Sequence, residues 1–147
     1  MFKLITRTIA AVAIVSVALL GSANAKTLKI ETHFTANSPN GEVAAQFAKN
    51  VEMFSGGSLK VEMFYSSSVS GKSAEVFNSA QTGIIDCDMT GAGYQTGKNA
   101  AFQFAGDVMG GYDTPYQQYD FLKFPGAQDA VDNLYNKYGM TLIGWWI

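Results

Sequence analysis

The chain has 147 residues, of which 48% are hydrophobic and 15% charged, and its formal net charge is −2 at pH 7. This length corresponds to one domain. An acidic chain without a basic cluster argues against nucleic acid as a partner. A single cysteine excludes an internal disulfide framework and a multi-cysteine metal site, and a single histidine argues against a His-rich zinc site or a His-based catalytic triad.

The first 25 residues have the three parts of an export signal. Lys3 and Arg7 form a basic start, residues 9–20 are apolar, and Ala23-Asn24-Ala25 fits the small-x-small pattern that signal peptidase accepts. The apolar run is shorter than the ~20 residues that a membrane-spanning helix needs. We therefore expect cleavage after Ala25, export to the periplasm, and a mature chain comprising residues 26–147.

The segment from residue 26 to residue 57 predicts a strand followed by a helix. Leu28, Ile30 and Thr32 alternate with charged residues, which is the period of a strand. Ser38 and Pro39 form a typical N-cap and first-turn pair. The predicted amphipathic helix then places apolar residues at helical spacing and ends at two glycines: Val43, Phe47, Val51 and Phe54, with Ala44 and Ala48 beside them, and Gly56-Gly57.

Two more strands and one more helix are predicted before residue 90. Leu59, Val61 and Met63 alternate as a second strand, residues 72–82 form a helix that ends at Gly83, and a third strand follows with Ile85, Cys87 and Met89. This β-α-β-α-β order is typical of parallel strands joined by helical crossovers. The fold class predicted is therefore α/β, with a mostly parallel sheet flanked by helices.

The second half of the chain predicts two helices and a fourth strand. Thr114-Pro115 begins a short aromatic helix, and Pro125 begins another that ends at Gly139. The second helix presents Val131, Leu134, Tyr135 and Tyr138 on one face. Residues 141–147 predict a strand, and because the chain stops inside this apolar run, we expect it to be truncated.

The Gly-rich stretch at residues 91–98 does not match a nucleotide-binding motif. A P-loop would require Gly where Ala92 stands and Ser or Thr where Asn99 stands. The dinucleotide fingerprint would require Gly in place of Thr96. The stretch follows a predicted strand, however, and ligands bind at the carboxyl ends of strands in open α/β sheets. We therefore interpret it as part of a ligand site.

Few residues are candidates for acid–base or metal chemistry. Asp86 and Asp88 lie two apart on a strand; they could hold a cation, but we favour a solvated sheet face or contacts with helices. His33 has no partner nearby in sequence and is interpreted as a polar residue at a strand end. A secreted hydrolase that uses Asp86, Asp88 or His33 remains an alternative. The only arginine, Arg7, lies in the signal, so the usual clamp for a ligand carboxylate is missing from residues 26–147.

With the export signal, several stretches resemble the periplasmic solute-binding subunit of tripartite ATP-independent periplasmic (TRAP) transporters, the DctP-type family. The resemblance is closest to the branch that binds 2-oxo acids, related organic acids, and mannitol or chloroaromatic compounds. It covers nearly all of residues 26–147 and is carried by the following stretches: residues 28–34, the helix opened by Ser38-Pro39, residues 83–88, residues 91–94, residues 97–102, and residues 144–146.

The resemblance implies the first lobe, with the start of a crossing strand, of a longer two-lobed receptor without enzymatic activity. Phe34, Tyr94, and Trp145 or Trp146 would line the cleft, and Gln95 would add an amide contact. The carboxylate-binding arginine would lie beyond Ile147. No cofactor is implied, although residues beyond Ile147 could hold a cation such as sodium or calcium beside the ligand.

The implied function is capture of a small organic acid and its delivery to a secondary transporter in the inner membrane. The implied partners are that ligand and the membrane subunits of the transporter, with no nucleic acid. Two other functions remain open at this point. The chain could be the binding protein of an ATP-driven importer, or a periplasmic domain that senses a ligand.

Overall fold

The computed structural model describes residues 25–106, 108 and 110–145. The predicted export signal, apart from Ala25, lies outside these residues. None of the helices in the described part of the chain is long and apolar enough to cross a membrane. The elements are strands β1 (Lys26–Thr32), β2 (Leu59–Phe64) and β3 (Cys87–Met89), helices α1 (Pro39–Phe54), α2 (Val76–Gln81), α3 (Pro115–Lys123) and α4 (Pro125–Asn136), and 3-10 turns at Ser73–Glu75, Ala92–Gln95 and Ala100–Phe104.

The three strands form a parallel sheet in the order β2-β1-β3. Leu28 of β1 is in register with Val61 of β2, and Ile30 is in register with Cys87 of β3. The α/β fold class and the parallel sheet are therefore confirmed. Because β1 is central, the second half of the strand, from Ile30 to Thr32, is buried.

Helix α1 begins and ends where its sequence signals predict. The Ser38 hydroxyl accepts a hydrogen bond from Gly41 N at 3.1 Å, and Pro39 occupies the first turn. Gly56 and Gly57 take φ values of +61° and +80°, which favour glycine.

The face that α1 buries differs from the predicted apolar stripe. Ala44 and Ala48 are buried, whereas Val43 and Phe54 are 57% and 81% exposed. Gly41 lies on the same buried face, and a Cβ there would overlap the backbone oxygen of Thr35 in the turn before the helix. The first turn of the helix therefore has no room for a side chain at residue 41.

The segment at residues 72–89 is less regular than predicted. The helix expected over residues 72–82 begins as a 3-10 turn, and only Val76–Gln81 is α-helical. It ends before Gly83, which takes a φ of +76°. The third strand is shorter than predicted because Ile85, although buried, precedes its first paired residue.

The main apolar core lies among the 3-10 turns, α2 and α4. Phe77 and Phe102 are almost fully buried, with ring centroids 5.8 Å apart. The predicted inner face of α4 is confirmed, since Val131 and Leu134 are buried and Tyr135 packs against the cluster. The Thr114 cap is confirmed as well, since its hydroxyl accepts from Gln117 N at 3.3 Å.

The predicted fourth strand is wrong for the residues that the structure describes. Residues 141–145 pair with no strand, and Trp146 and Ile147 lie outside the described part of the chain. Leu142 and Trp145 instead pack against the core cluster. Their apolar character therefore reflects burial against the core rather than membership of the sheet.

Candidate functional site

The carboxyl ends of β1 and β3 lie side by side and define one edge of the sheet. Thr32, the last residue of β1, is in register with Met89, the last residue of β3. His33 and Thr90, the residues that follow β1 and β3, therefore both lie at this edge. Such an edge is where open α/β sheets bind ligands.

Three rings form a cluster at this edge, which we call the aromatic wall: His33, Phe34 and Tyr94. The imidazole of His33 lies 3.9 Å from the Phe34 ring, measured between centroids, and 5.3 Å from the Tyr94 ring, with edge-on geometry. Tyr94 is 46% exposed. The structure thus brings together two of the sequence-predicted site residues, with His33 between them.

His33 is held in a state that favours its neutral form. Burial lowers the pKa of its imidazole from the ordinary value of 6.5. Its Nδ1 atom is buried and has no hydrogen-bond partner among the described residues. A neutral imidazole has one donor and one acceptor nitrogen, so this atom could bind either kind of ligand group. The sequence interpretation of His33 as an ordinary polar residue at a strand end missed this position beside Phe34 and Tyr94.

Gln95 faces the interior. It is 3% exposed, and its Nε2 donates to Ala74 O at 3.2 Å. This bond joins the turn that carries Tyr94 to the turn that precedes α2. The geometry gives Gln95 a structural contact, while its predicted contact with a ligand stays a prediction.

Trp145 is half-buried against the core cluster. Its indole Nε1 is buried without a hydrogen-bond partner in the part of the chain that the structure describes. Indole N–H groups usually find a partner when buried. Trp145 therefore keeps a donor that a ligand or water could use. Trp146, the alternative cleft residue, lies outside the described residues.

Asp86 and Asp88 lie in different surroundings, Asp86 on an exposed face and Asp88 near a helix. Asp86 is exposed, and its Oδ2 accepts from Lys29 N at 2.8 Å. Asp88 is less exposed and lies near Tyr135 of α4. Burial raises the pKa of the Tyr135 phenol to about 12, and the charge of Asp88 adds to this rise. The described residues contain no group of three acidic, His or Cys side chains that could hold a metal ion.

The Asp88 carboxyl is the most strongly perturbed acid at this edge. Burial raises its pKa to about 6, and the nearby Glu31 carboxyl adds to the rise. The polar groups of Thr90 favour the charged form and partly offset the effect of burial on the pKa. Oδ1 has no partner among residues 25–106, 108 and 110–145. Sequence reasoning could not find this perturbation because it depends on burial and on Glu31, which lies on another strand.

An apolar groove of about 420 Å³ lies elsewhere, between the third 3-10 turn and helices α3 and α4. None of the three residues of the aromatic wall lines it. Its only charged lining residue is Lys137. The groove is therefore separate from the sheet edge that carries the candidate site.

The sequence of residues 30–147 matches the family model for bacterial extracellular solute-binding proteins, family 7. The chain belongs to this family. No curated protein sequence matches it. The family assignment confirms the resemblance to the DctP-type solute-binding subunit, whose members are periplasmic.

Solved structures of TRAP solute-binding proteins have the same fold as the described residues of this family member. One from Rhodobacter sphaeroides, in an apo open state, shares 28% identity with a TM-score of 0.72, over 80% of this chain and 37% of that one. One from Pseudoalteromonas atlantica, with bound sodium and pyruvate, shares 20% identity with a TM-score of 0.71, over 79% and 35%. A Bordetella pertussis receptor that binds pyroglutamic acid shares 19% identity with a TM-score of 0.68, over 80% and 38%.

The chain therefore spans little more than a third of the length of these relatives. Its α/β unit matches one lobe of TRAP solute-binding proteins. In that lobe the aromatic wall lies at the carboxyl ends of parallel strands, which is the ligand-binding edge of open α/β sheets.

Proposed function

We propose that this chain supplies the first lobe of an extracytoplasmic receptor, which captures a small organic acid and delivers it to the membrane subunits of a TRAP transporter. The observation that carries the proposal is the aromatic wall at the shared carboxyl edge of β1 and β3. In a solute-binding family, an aromatic surface with Tyr94 46% exposed, and with Nδ1 of His33 unpartnered among the described residues, is suited to contact a small ligand.

The proposed division of the chain is an export signal at residues 1–25 and the first lobe at residues 26–147. Two observations support a second lobe from further sequence: the chain covers 37% of the Rhodobacter sphaeroides protein, and residues 26–147 contain no arginine. Reading the gene past the codon for Ile147 tests this division. We expect an open frame that encodes a second lobe with an arginine, whereas an immediate stop codon would contradict the two-lobe proposal.

The proposed ligand is a small acid with an apolar or planar body. Phe34 and Tyr94 would contact that body, and ring contacts gain from displaced water. Nδ1 of neutral His33 would bind one of its polar atoms, and the contact of the ligand with Trp145 stays a prediction from the family resemblance. Pyruvate and pyroglutamic acid, which bind to the two related structures, have this shape and size. Binding alone accounts for these groups, and the receptor needs no enzymatic step.

The test compares two tyrosines in the full-length gene product. Tyr94→Ala removes a ring from the aromatic wall, whereas Tyr116→Ala removes a ring that is 81% exposed on α3. We expect Tyr94→Ala to weaken the binding of pyruvate or pyroglutamate roughly 10-fold in calorimetric titrations, and Tyr116→Ala to leave it unchanged. Equal affinities for the two variants would refute the placement of the ligand at this wall.

A further inference from the structure

The turn at residues 66–70, which we call the serine turn, follows β2 and is anchored at the candidate site. Ser66 N donates to Phe34 O at 2.9 Å, and Ser67 N donates to Thr32 O at 3.1 Å. The serine turn is thereby bonded both to the end of β1 and to the backbone of a residue in the aromatic wall.

The conformation of the serine turn is costly by itself. Ser66 and Ser67 take φ values of +57° and +51°, in the left-handed region that non-glycine residues rarely adopt. A residue with a Cβ is strained in this region because the Cβ comes too close to the following carbonyl oxygen. Contacts from outside the turn must therefore hold it in place.

The buried carboxyl of Glu31 provides those contacts. Glu31 is 0% exposed, and its Oε1 accepts from Val69 N at 2.6 Å and from Ser70 N at 3.2 Å. Its Oε2 accepts from the Ser70 hydroxyl, which also contacts the Ser79 hydroxyl at 2.7 Å. A carboxylate is suited to this place because it accepts several hydrogen bonds and donates none. These hydrogen bonds hold the turn in place, because a buried N–H without an acceptor costs free energy.

Glu31 also lies on the strand that leads directly to the site. Only Thr32 separates it from His33, and its register partner on β3 is Asp88. The same side chain thus joins the serine turn, the central strand and the segment that ends in the aromatic wall.

We propose that Glu31 is a positioning residue for ligand binding: by holding the serine turn against the carboxyl end of β1, it fixes Phe34 and the aromatic wall in the geometry that receives the ligand. The proposal rests on the proposed function, because it assigns a role within the same site. Glu31 touches no ligand in this scheme and acts through the serine turn.

Three variants of the full-length gene product test the proposal. Glu31→Met keeps the approximate volume but removes the acceptors, so the Val69 and Ser70 amides lose their partners. Glu31→Gln keeps an oxygen for those two amides, and Ser70 can redirect its hydroxyl to Ser79. Glu62→Met is the matched control, because Glu62 is an exposed carboxylate on the neighbouring strand β2.

Two measurements are made on each variant at a temperature well below the melting point of all three. Amide hydrogen exchange reports whether the serine turn is held, and calorimetric titration with pyruvate and pyroglutamate reports the affinity. In Glu31→Met we expect exchange at Val69 and Ser70 to accelerate roughly 10- to 100-fold and the affinity to fall roughly 10-fold. Glu31→Gln should restore both values to within roughly 3-fold of the wild type, and Glu62→Met should change neither.

The outcomes separate the positioning role from the proposed function. If the wild type binds the acid and Glu31→Met binds it equally well despite faster exchange, Glu31 only stabilises the fold and the positioning role is overturned. If exchange at Val69 and Ser70 is unchanged in Glu31→Met, the contact itself is refuted. If the folded wild type binds neither acid, the proposed function fails for these ligands and the positioning role fails with it.

Discussion

Replacement of Asp88 by Asn should stabilise the protein at neutral pH, even though it removes a charge from this edge of the sheet. The substitution keeps the shape of the side chain and one of its two oxygens. It removes the carboxylate that burial disfavours at the carboxyl end of β3. The expected effect is therefore a gain in the free energy of unfolding that depends on pH.

The size and sign of that gain follow from the pKa of the buried carboxyl. The folded-state pKa is raised from 3.8 to about 6, so between these values the folded state binds more protons than the unfolded state. The contribution of Asp88 to stability is therefore fully present below pH 3.8 and is lost as the pH rises through about 6. Above that range the lost contribution amounts to about 3 kcal/mol, which is the upper limit of the gain expected for Asp88→Asn.

Urea unfolding of the full-length gene product at a series of pH values from 4 to 8 measures this gain. The difference between Asp88→Asn and the wild type should be near zero at pH 4 and should grow to its full size by pH 7.5. Asp86→Asn changes an exposed carboxylate two residues away and should vary by less than ~0.5 kcal/mol over the same range. A difference for Asp88→Asn that does not change with pH, or a loss of stability at pH 7.5, would refute the burial of this carboxyl.

Two further substitutions test the packing that supports the site. Gly41→Ala should destabilise the protein by ~1–3 kcal/mol in urea unfolding, because the new Cβ would overlap Thr35 O and lie 2.8 Å from Ala36 O. Gly126→Ala is the control: the nearest atom to its Cβ would be 3.7 Å away, so it should stabilise the protein by roughly 0.5 kcal/mol. Gly41→Ala behaving like Gly126→Ala would contradict the close approach of α1. Phe102→Ala should lower the free energy of unfolding by ~3–5 kcal/mol, because Phe102 is fully buried. Phe104→Ala is the control, since its ring is 67% exposed. Equally small effects of the two substitutions would contradict the assigned core.

The sequence predicted the order and class of the elements because their signals are local. The caps at Ser38 and Thr114 each contact a backbone N–H three residues later, and both were recognised from the Ser-Pro and Thr-Pro pairs. The parallel sheet followed from the alternation of strand and helix periods. These features require no knowledge of distant parts of the chain.

The errors concern contacts between elements. The apolar stripe of α1 was visible in the sequence, but the structure buries the face that carries Gly41, Ala44 and Ala48. The apolar run after Thr141 was interpreted as a strand, yet Leu142 and Trp145 pack against the helical core. Periodicity and composition do not determine which surface receives an apolar residue.

The candidate site was predicted only in part for the same reason. Phe34 and Tyr94 were named from the family resemblance, and the structure places both rings beside His33. Glu31 and Asp88 were not predicted as buried acids. Glu31 meets Val69 38 residues along the chain, and its burial depends on that distant turn.

Binding of a small organic acid is measured by the melting temperature of the full-length gene product across a panel of 2-oxo acids, other carboxylates, polyols and sugars. A ligand that binds the native state, present at 100 times its Kd, adds about 2.7 kcal/mol to the free energy of unfolding, which is a shift of several degrees. We predict that at least one organic acid produces such a shift and that the shift grows with concentration. A folded protein whose melting temperature no acid of the panel raises would contradict this prediction.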